Sequence, residues 1–141
     1  MLFKFVQATE SEREYLFALR KVTMLEHLQR AGLVLTDNQH PDRLDYKYDC
    51  FCLVFLNREL LGAVKYLVTS KQVELVQLQI DPKYQGKGYG TGIVQQILTN
   101  EKGKIVKLTV LKENPVGELY KRLGFHIIGE DDHEYHMQYT H

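Results

Sequence analysis

This chain has no surplus of either charge: Lys and Arg together number 18, as do Asp and Glu. That balance argues against a protein held on nucleic acid by net charge, because such domains carry a clear basic excess. No apolar run approaches the roughly 18 residues of a membrane span. The first seven residues, Met1-Leu2-Phe3-Lys4-Phe5-Val6-Gln7, are too short and too alternating for a secretory leader. Cysteine is scarce, with Cys50 and Cys52 alone. They form no C-x-x-C pair and have no second cluster with which to build a zinc site. Two apart in an apolar run, they are expected on one face of a strand as buried reduced thiols, which points to a cytoplasmic protein without a metal. Internal repeats and low-complexity segments are also absent.

What is present is the composition of an ordinary globular protein, 44% hydrophobic and 26% charged over 141 residues, a length that suits one domain spanning 1–141. Residues 2–7 alternate as a strand does. Thr9 or Ser11 can cap a helix whose apolar positions Tyr15, Leu16, Leu19, Val22 and Met24 carry it to about Arg30, where Ala31-Gly32 ends it. A polar stretch over 36–45 reads as a loop with a short helical turn. Strands are predicted over 51–56, 61–69 and 73–80, joined by short polar connections as antiparallel hairpins. A helix over 90–100, a strand over 105–111, a helix from Asn114-Pro115 to Leu123 and strands over 125–129 and 134–139 complete the chain. The order β-α-β-β-β-α-β-α-β-β is α+β, with one crossover that must join parallel strands.

Between the fourth strand and the helix after it stands Gln85-Gly86-Lys87-Gly88-Tyr89-Gly90-Thr91. Glycines at alternate positions let backbone N–H groups point inward with no Cβ in the way. The helix behind adds unpaired donors and the positive end of its dipole, and Lys87 adds charge, so the loop suits a pyrophosphate. It is not a Walker loop, since no GK[ST] closes it. The dinucleotide fingerprint fails too, because Thr91 stands where a third glycine is wanted.

Gln85 to Gly90 resembles the Q/R-x-x-G-x-G/A signature of the GCN5-related N-acetyltransferase (GNAT) superfamily. About thirty residues on, Asn114-Pro115-Val116-Gly117-Glu118-Leu119-Tyr120-Lys121-Arg122-Leu123-Gly124-Phe125 is similar to that family's N-P-A-x-x-L-Y-x-x-x-G-F segment, with Val116 for the usual alanine. The element order agrees across the whole chain. The resemblance implies a mixed, mostly antiparallel central sheet flanked by helices, with fourth and fifth strands that splay apart. It also implies acetyl-coenzyme A as cosubstrate. Gln85, Gly86, Lys87, Gly88, Tyr89, Gly90 and Thr91 would hold the pyrophosphate, and Leu78, Gln79 and Ile80 would meet the pantetheine arm through their backbone. Tyr120 takes the position of the tyrosine that protonates the leaving thiolate, or hydrogen-bonds the coenzyme sulfur. Asn114 would orient the coenzyme or cap the helix at Pro115, the cap being favoured.

Amide formation demands a neutral amine, and a lysine-like amine at pH 7 is only about one part in two thousand deprotonated. A base therefore helps. Glu74 lies eleven residues before Gln85, where some members of the superfamily place a catalytic glutamate; it can equally be an edge-facing carboxylate or hold the amine without taking its proton. A backbone N–H near Leu78 or Gln79 would meet the oxyanion by the same analogy. His27 lies in a region that often walls the acceptor site but is read as a surface or core residue. His133 and His136, three apart on a strand, should face opposite sides and so do not converge on a metal. The expected function is transfer of an acetyl group from acetyl-coenzyme A to an amine on a small molecule or protein; a non-catalytic acyl-coenzyme A sensor is the alternative. No nucleic acid or membrane partner is expected. The last strands suggest a homodimer by similarity to other members.

Overall fold

The computed structural model describes residues 2–30, 44–112 and 114–140. The loop expected over 36–45 lies outside them except for Leu44 and Asp45, as does the side chain of His27.

Seven strands form one sheet: β1 (Lys4–Gln7), β2 (Phe51–Leu56), β3 (Glu59–Val68), β4 (Gln72–Ile80), β5 (Ile105–Leu111), β6 (His126–Glu130) and β7 (Glu134–Tyr139). Their order across the sheet is β1-β2-β3-β4-β5-β7-β6. Every described pairing is antiparallel except β4 with β5. Three α-helices with both ends among the described residues flank it: α1 (Arg13–Arg30), α2 (Tyr89–Asn100) and α3 (Val116–Arg122). The expected α+β order and the single parallel crossover, β4-α2-β5, are therefore observed. Boundaries move by one to three residues. The larger difference is at Cys50, which closes a 3-10 turn (Tyr48–Cys50) ahead of β2 and so does not share a strand face with Cys52. His133 likewise precedes β7 instead of lying on it, while His136 is on the strand with Nδ1 3.1 Å from the Thr109 hydroxyl.

Local chemistry sets these elements. Thr9 caps the entry to α1: its N–H donates to Glu12 Oε1 at 3.0 Å while its hydroxyl accepts from Ser11 N–H, a reciprocal capping box. Leu16 and Leu19 of α1, with Leu44, bury against Phe51, Leu53 and Ala63 on one sheet face. On the other face Ile93, Val94, Ile97 and Leu98 of α2 pack on Val54, Val64, Val73, Leu75, Val106 and Leu108. The two-residue period of each strand divides its side chains between these cores, so the sheet is covered on both faces.

One irregularity positions the site. Tyr66 pairs with Leu75 and Lys65 with Gln77, so Val76 is a bulge with no partner on β3. Pairing of β4 with β5 stops just short of it, running only from Gln72–Ile105 to Leu75–Leu108. From Gln77 to Ile80 β4 stays paired with β3, β5 stays paired with β7, and a cleft opens between β4 and β5.

Candidate active site

Beyond Ile80 the chain turns under control of two side chains. Asp81 Oδ1 accepts from Lys83 N–H at 3.2 Å, starting a 3-10 turn (Pro82–Tyr84). Gln85 Nε2 donates to the Ile80 carbonyl at 2.8 Å, and its own N–H donates to Pro82 O at 3.3 Å. Gln85 therefore differs from the expectation: its backbone donor is used internally, and its side chain ties the loop to β4. Gly86 and Gly88 follow at φ +76° and +83°, in the left-handed region where a Cβ is strained. Among the described residues no acceptor faces the N–H groups of Gly86, Lys87, Gly88, Tyr89, Gly90 or Thr91; the first bond across this stretch is Gly92 N–H to Gly88 O at 3.1 Å. Six consecutive amides leading into and opening α2 are thus unpaired among the described residues, the arrangement that takes an anion. A Cβ at Gly86 or Gly88 would meet nothing within 4 Å, so the space beside them is open. These glycines border a cavity of about 460 Å³ walled by Leu78, Gln79 and Ile80, by the loop and first turn of α2, and by Asn114 and Arg122. Lys87 is exposed and does not line it. Arg122 does, a cation that no motif had flagged.

A second cavity, about 320 Å³, opens from the other end of the cleft and shares Leu78, Gln79, Asn114 and Val116 with the first. Tyr120 reaches it from α3. This phenol is only 6% exposed and meets the Phe125 ring edge-on at 5.5 Å between centroids. Burial pushes its pKa far above the usual tyrosine range, so it stays protonated and able to donate. Asn114 stands nearby as the helix cap: its Oδ1 accepts from Val116 N–H at 3.0 Å.

Arg20 of α1, Gln77 of β4 and Glu134 of β7 complete the polar lining of this second cavity. Arg20 is 3% exposed and Gln79 is 2% exposed. Among the described residues, neither carboxamide atom of Gln79 has a hydrogen-bond partner, nor has the Oε1 of Gln77. Beneath α1 the fully buried Lys65 donates from Nζ to the Leu44 carbonyl at 3.1 Å and to that of Tyr46, with the Phe51 ring 4.3 Å away. Loss of solvent, and then the neighbouring Arg20 charge, lower its pKa to about 8.

Glu74 lies elsewhere. It sits on the paired part of β4 opposite Lys107, is exposed, and lines an adjoining cavity of about 340 Å³ that Tyr120 does not reach. Glu134 lines both cavities. Spacing from the glycine loop leads to Glu74; Glu134 enters only because β7 pairs with β5, which places it across from Leu111 at the mouth of the cleft. No local pattern carries that information. Among the described residues, no group of three or more His, Cys, Asp or Glu is placed to hold a metal ion. Nor is any helix there long and apolar enough to cross a membrane.

The sequence profile of the acetyltransferase (GNAT) domain matches residues 47–127. No curated protein is significantly similar in sequence. Solved structures with the same fold include the PaiA N-acetyltransferase of Thermoplasma acidophilum in complex with coenzyme A, at 17% identity, TM-score 0.75 and 100% of both chains covered. An acetyltransferase of Thermus thermophilus aligns at 15% identity and TM-score 0.74, covering 100% of this chain and 98% of that one. The ribosomal-protein-S18-alanine N-acetyltransferase of Escherichia coli aligns at 14% identity and TM-score 0.70, covering 99% and 94%.

Proposed function

Because the chain belongs to the GNAT acetyltransferase family, we propose that it transfers an acetyl group from acetyl-coenzyme A to a primary amine by direct attack in a ternary complex. The observation that carries this reading is the run of unpaired amides from Gly86 to Thr91, opening onto a cleft where β4 and β5 have parted. A diphosphate fits the amides; an extended thioester arm fits beside Leu78, Gln79 and Ile80, the stretch of β4 that no longer pairs with β5. Arg122 and Lys87 supply positive charge near the phosphates.

The reaction needs the amine and thioester aligned in one cleft, and the two cavities meeting at Gln79 provide that alignment. The amine nitrogen bonds to the thioester carbonyl carbon, the C–S bond breaks, and its electron pair leaves with sulfur. One proton leaves the amine and one is delivered to the thiolate. Tyr120 is the donor to sulfur, and burial keeps its phenol protonated before the reaction. Glu74 takes the amine proton through water in the adjoining cavity, whose shared wall includes Glu134. Acceptors are amines on small molecules or proteins, met in the cytoplasm, by a protein that forms a homodimer and has no nucleic acid or membrane partner.

The test is thiol release from acetyl-coenzyme A across an amine panel, run beside calorimetric binding of coenzyme A. Amine-dependent release is expected. Tight coenzyme binding with no release for any amine would replace an enzyme with an acyl-coenzyme A sensor, and no binding would remove the cradle assignment.

A further inference from the structure

The amine meets the thioester in the Tyr120 cavity, yet Glu74 lines only the adjoining one. Among the described residues, two polar side chains line both cavities, Thr109 and Glu134. Thr109 has a partner behind it. Val106, Leu108 and Val110 of β5 are buried in the core that α2 covers, so Thr109 stands on the opposite, exposed face of the strand. There it pairs with His136 of β7, and its hydroxyl lies 3.1 Å from Nδ1 of that ring. The other ring nitrogen, Nε2, is 3.6 Å from Asp131 Oδ2. Asp131 is itself fixed, its Oδ1 accepting from the N–H groups of His133 and Glu134 at 2.9 and 2.8 Å. We propose that Thr109 and His136 relay the amine proton out of the Tyr120 cavity, with Asp131 holding the imidazole ready to accept it. The proposal rests on the acetyltransferase reading above and names the path by which the proton crosses between the two cavities.

The two nitrogens of a neutral imidazole differ: one carries the proton and the other a lone pair. A carboxylate beside Nε2 favours the tautomer with the proton there, which leaves the Nδ1 lone pair facing the Thr109 hydroxyl. The hydroxyl then donates to Nδ1 and keeps its own lone pairs for a proton arriving from the cavity. As the amine nitrogen loses its proton to Thr109 Oγ1, the hydroxyl proton passes to His136 Nδ1. Thr109 ends unchanged, and the imidazolium that forms has a carboxylate beside it. The His136 side chain is 43% exposed, so the ring exchanges its proton with water of the adjoining cavity, which it lines together with Glu74. The charges around the ring are Asp131, Glu74 and Glu134 against Lys107 of β5, a balance that favours a passing cation. Direct transfer to Glu134 would bypass the relay, and the two routes answer differently to substitution.

The experiment follows thiol release from acetyl-coenzyme A with the fastest member of an amine panel that includes putrescine, alaninamide and a lysine peptide blocked at its N-terminus. His136→Ala should lower kcat/KM at least about tenfold while coenzyme A affinity stays within about twofold. Added imidazole should raise the variant's rate at least about threefold, since the vacated place is open to water; a merely structural histidine would not respond. Thr109→Val should match His136→Ala, and Thr109→Ser, which keeps the hydroxyl, should stay within about threefold of the parent. With Thr109→Val and His136→Ala combined, imidazole should have no effect, which separates the relay from any direct reaction of imidazole. Asp131→Asn keeps the oxygen that holds the turn but aims an NH2 group at Nε2, moves the ring proton to Nδ1, and should cost at least about tenfold. His126→Ala, at an exposed position of β6 outside both cavities, should equal the parent with and without imidazole. A His136→Ala deficit that imidazole leaves untouched, or equal rates in the parent and Thr109→Val, overturns the relay. So does a loss confined to Glu134→Gln, which hands the crossing to that carboxylate. In each of these cases transfer by the parent leaves the acetyltransferase reading standing, whereas release with no amine of the panel removes both. Should His136→Ala fail to fold, Thr109→Ser against Thr109→Val decides on its own.

Discussion

Gly62 and Gln79 bring β3 and β4 together at a distance no side chain tolerates: a Cβ on the glycine would lie 2.0 Å from the glutamine's carbonyl oxygen. This contact lies on the stretch where β4 keeps β3 and abandons β5, so it fixes one wall of the cleft. Gly62→Ala must displace β4 backbone, because no flexible side-chain end is available to yield. Overpacking of this kind costs about 1–3 kcal/mol, to be seen in urea unfolding. Coenzyme A affinity should fall as well, since Leu78, Gln79 and Ile80 move with the strand. Normal stability in the variant would mean that the close approach does not hold the cleft.

Gly88 should matter for a different reason. Its φ of +83° makes any side chain strained, yet nothing lies within 4 Å of where a Cβ would go. Gly103, at φ +91° in the turn before β5, has the same two properties far from the cleft and serves as a control. Alanine at either position should cost about 1 kcal/mol of stability. Gly88→Glu should in addition abolish coenzyme A binding by calorimetry, because a carboxylate would enter the anion cradle. Gly103→Glu should bind normally. Unchanged affinity in Gly88→Glu would remove the diphosphate from this loop.

Tyr120→Phe keeps the ring against Phe125 and removes only the hydroxyl. Turnover should drop about tenfold to a hundredfold with coenzyme A affinity almost unchanged, the loss falling on kcat. Because burial raises the phenol's pKa, the parent enzyme should show no fall in rate from Tyr120 ionisation as pH approaches 10, the ordinary tyrosine value. Equal rates for parent and variant at every pH would end the general-acid role.

The two carboxylates near the cleft are separable by the same measurement. If Glu74 takes the amine proton, Glu74→Gln should lower kcat/KM more than Glu134→Gln does. Glu134 is the competitor because it lines the Tyr120 cavity, which Glu74 does not. A larger effect of Glu134→Gln would transfer the role to β7.

Most of the fold was legible because period and punctuation act locally. β2, β5 and β7 fall on their expected residues, β2 as a short continuous apolar run and β5 and β7 with alternation. The glycine loop was legible for the same reason, its φ values being demanded by glycine alone. Cys50 was misplaced because an apolar run continues smoothly into β2, and nothing in it announces the 3-10 turn that Lys47 starts at φ +51°. The Val76 bulge leaves no mark in composition. It arises from register between β3 and β4, as Glu134's place in the cleft arises from register between β5 and β7. Gln85 shows the remaining gap: a motif names the residue, but only coordinates reveal that its side-chain amide braces Ile80 while the backbone amides after it have no partner among the described residues.

Lys65 gives a prediction about stability that is independent of catalysis. Its pKa is about 8 in the folded protein against 10.5 as a free side chain, lowered by burial and then by Arg20. Above pH 8 the unfolded chain holds a proton that the folded chain has lost, so raising the pH favours folding. Opposing shifts begin higher: burial raises the Cys52 thiol above its ordinary 9.0 and Tyr66 above 10.0, and each of these favours unfolding as pH passes its ordinary value. Between pH 8 and 9 the lysine contribution outweighs that of the thiol, which opposes it increasingly as pH 9 is approached. The midpoint of urea unfolding should rise across this interval, and Lys65→Met should flatten the rise, since methionine fills similar volume without a proton to release. A midpoint that is flat in the parent, or that rises equally in the variant, would show that Lys65 keeps its charge in the fold.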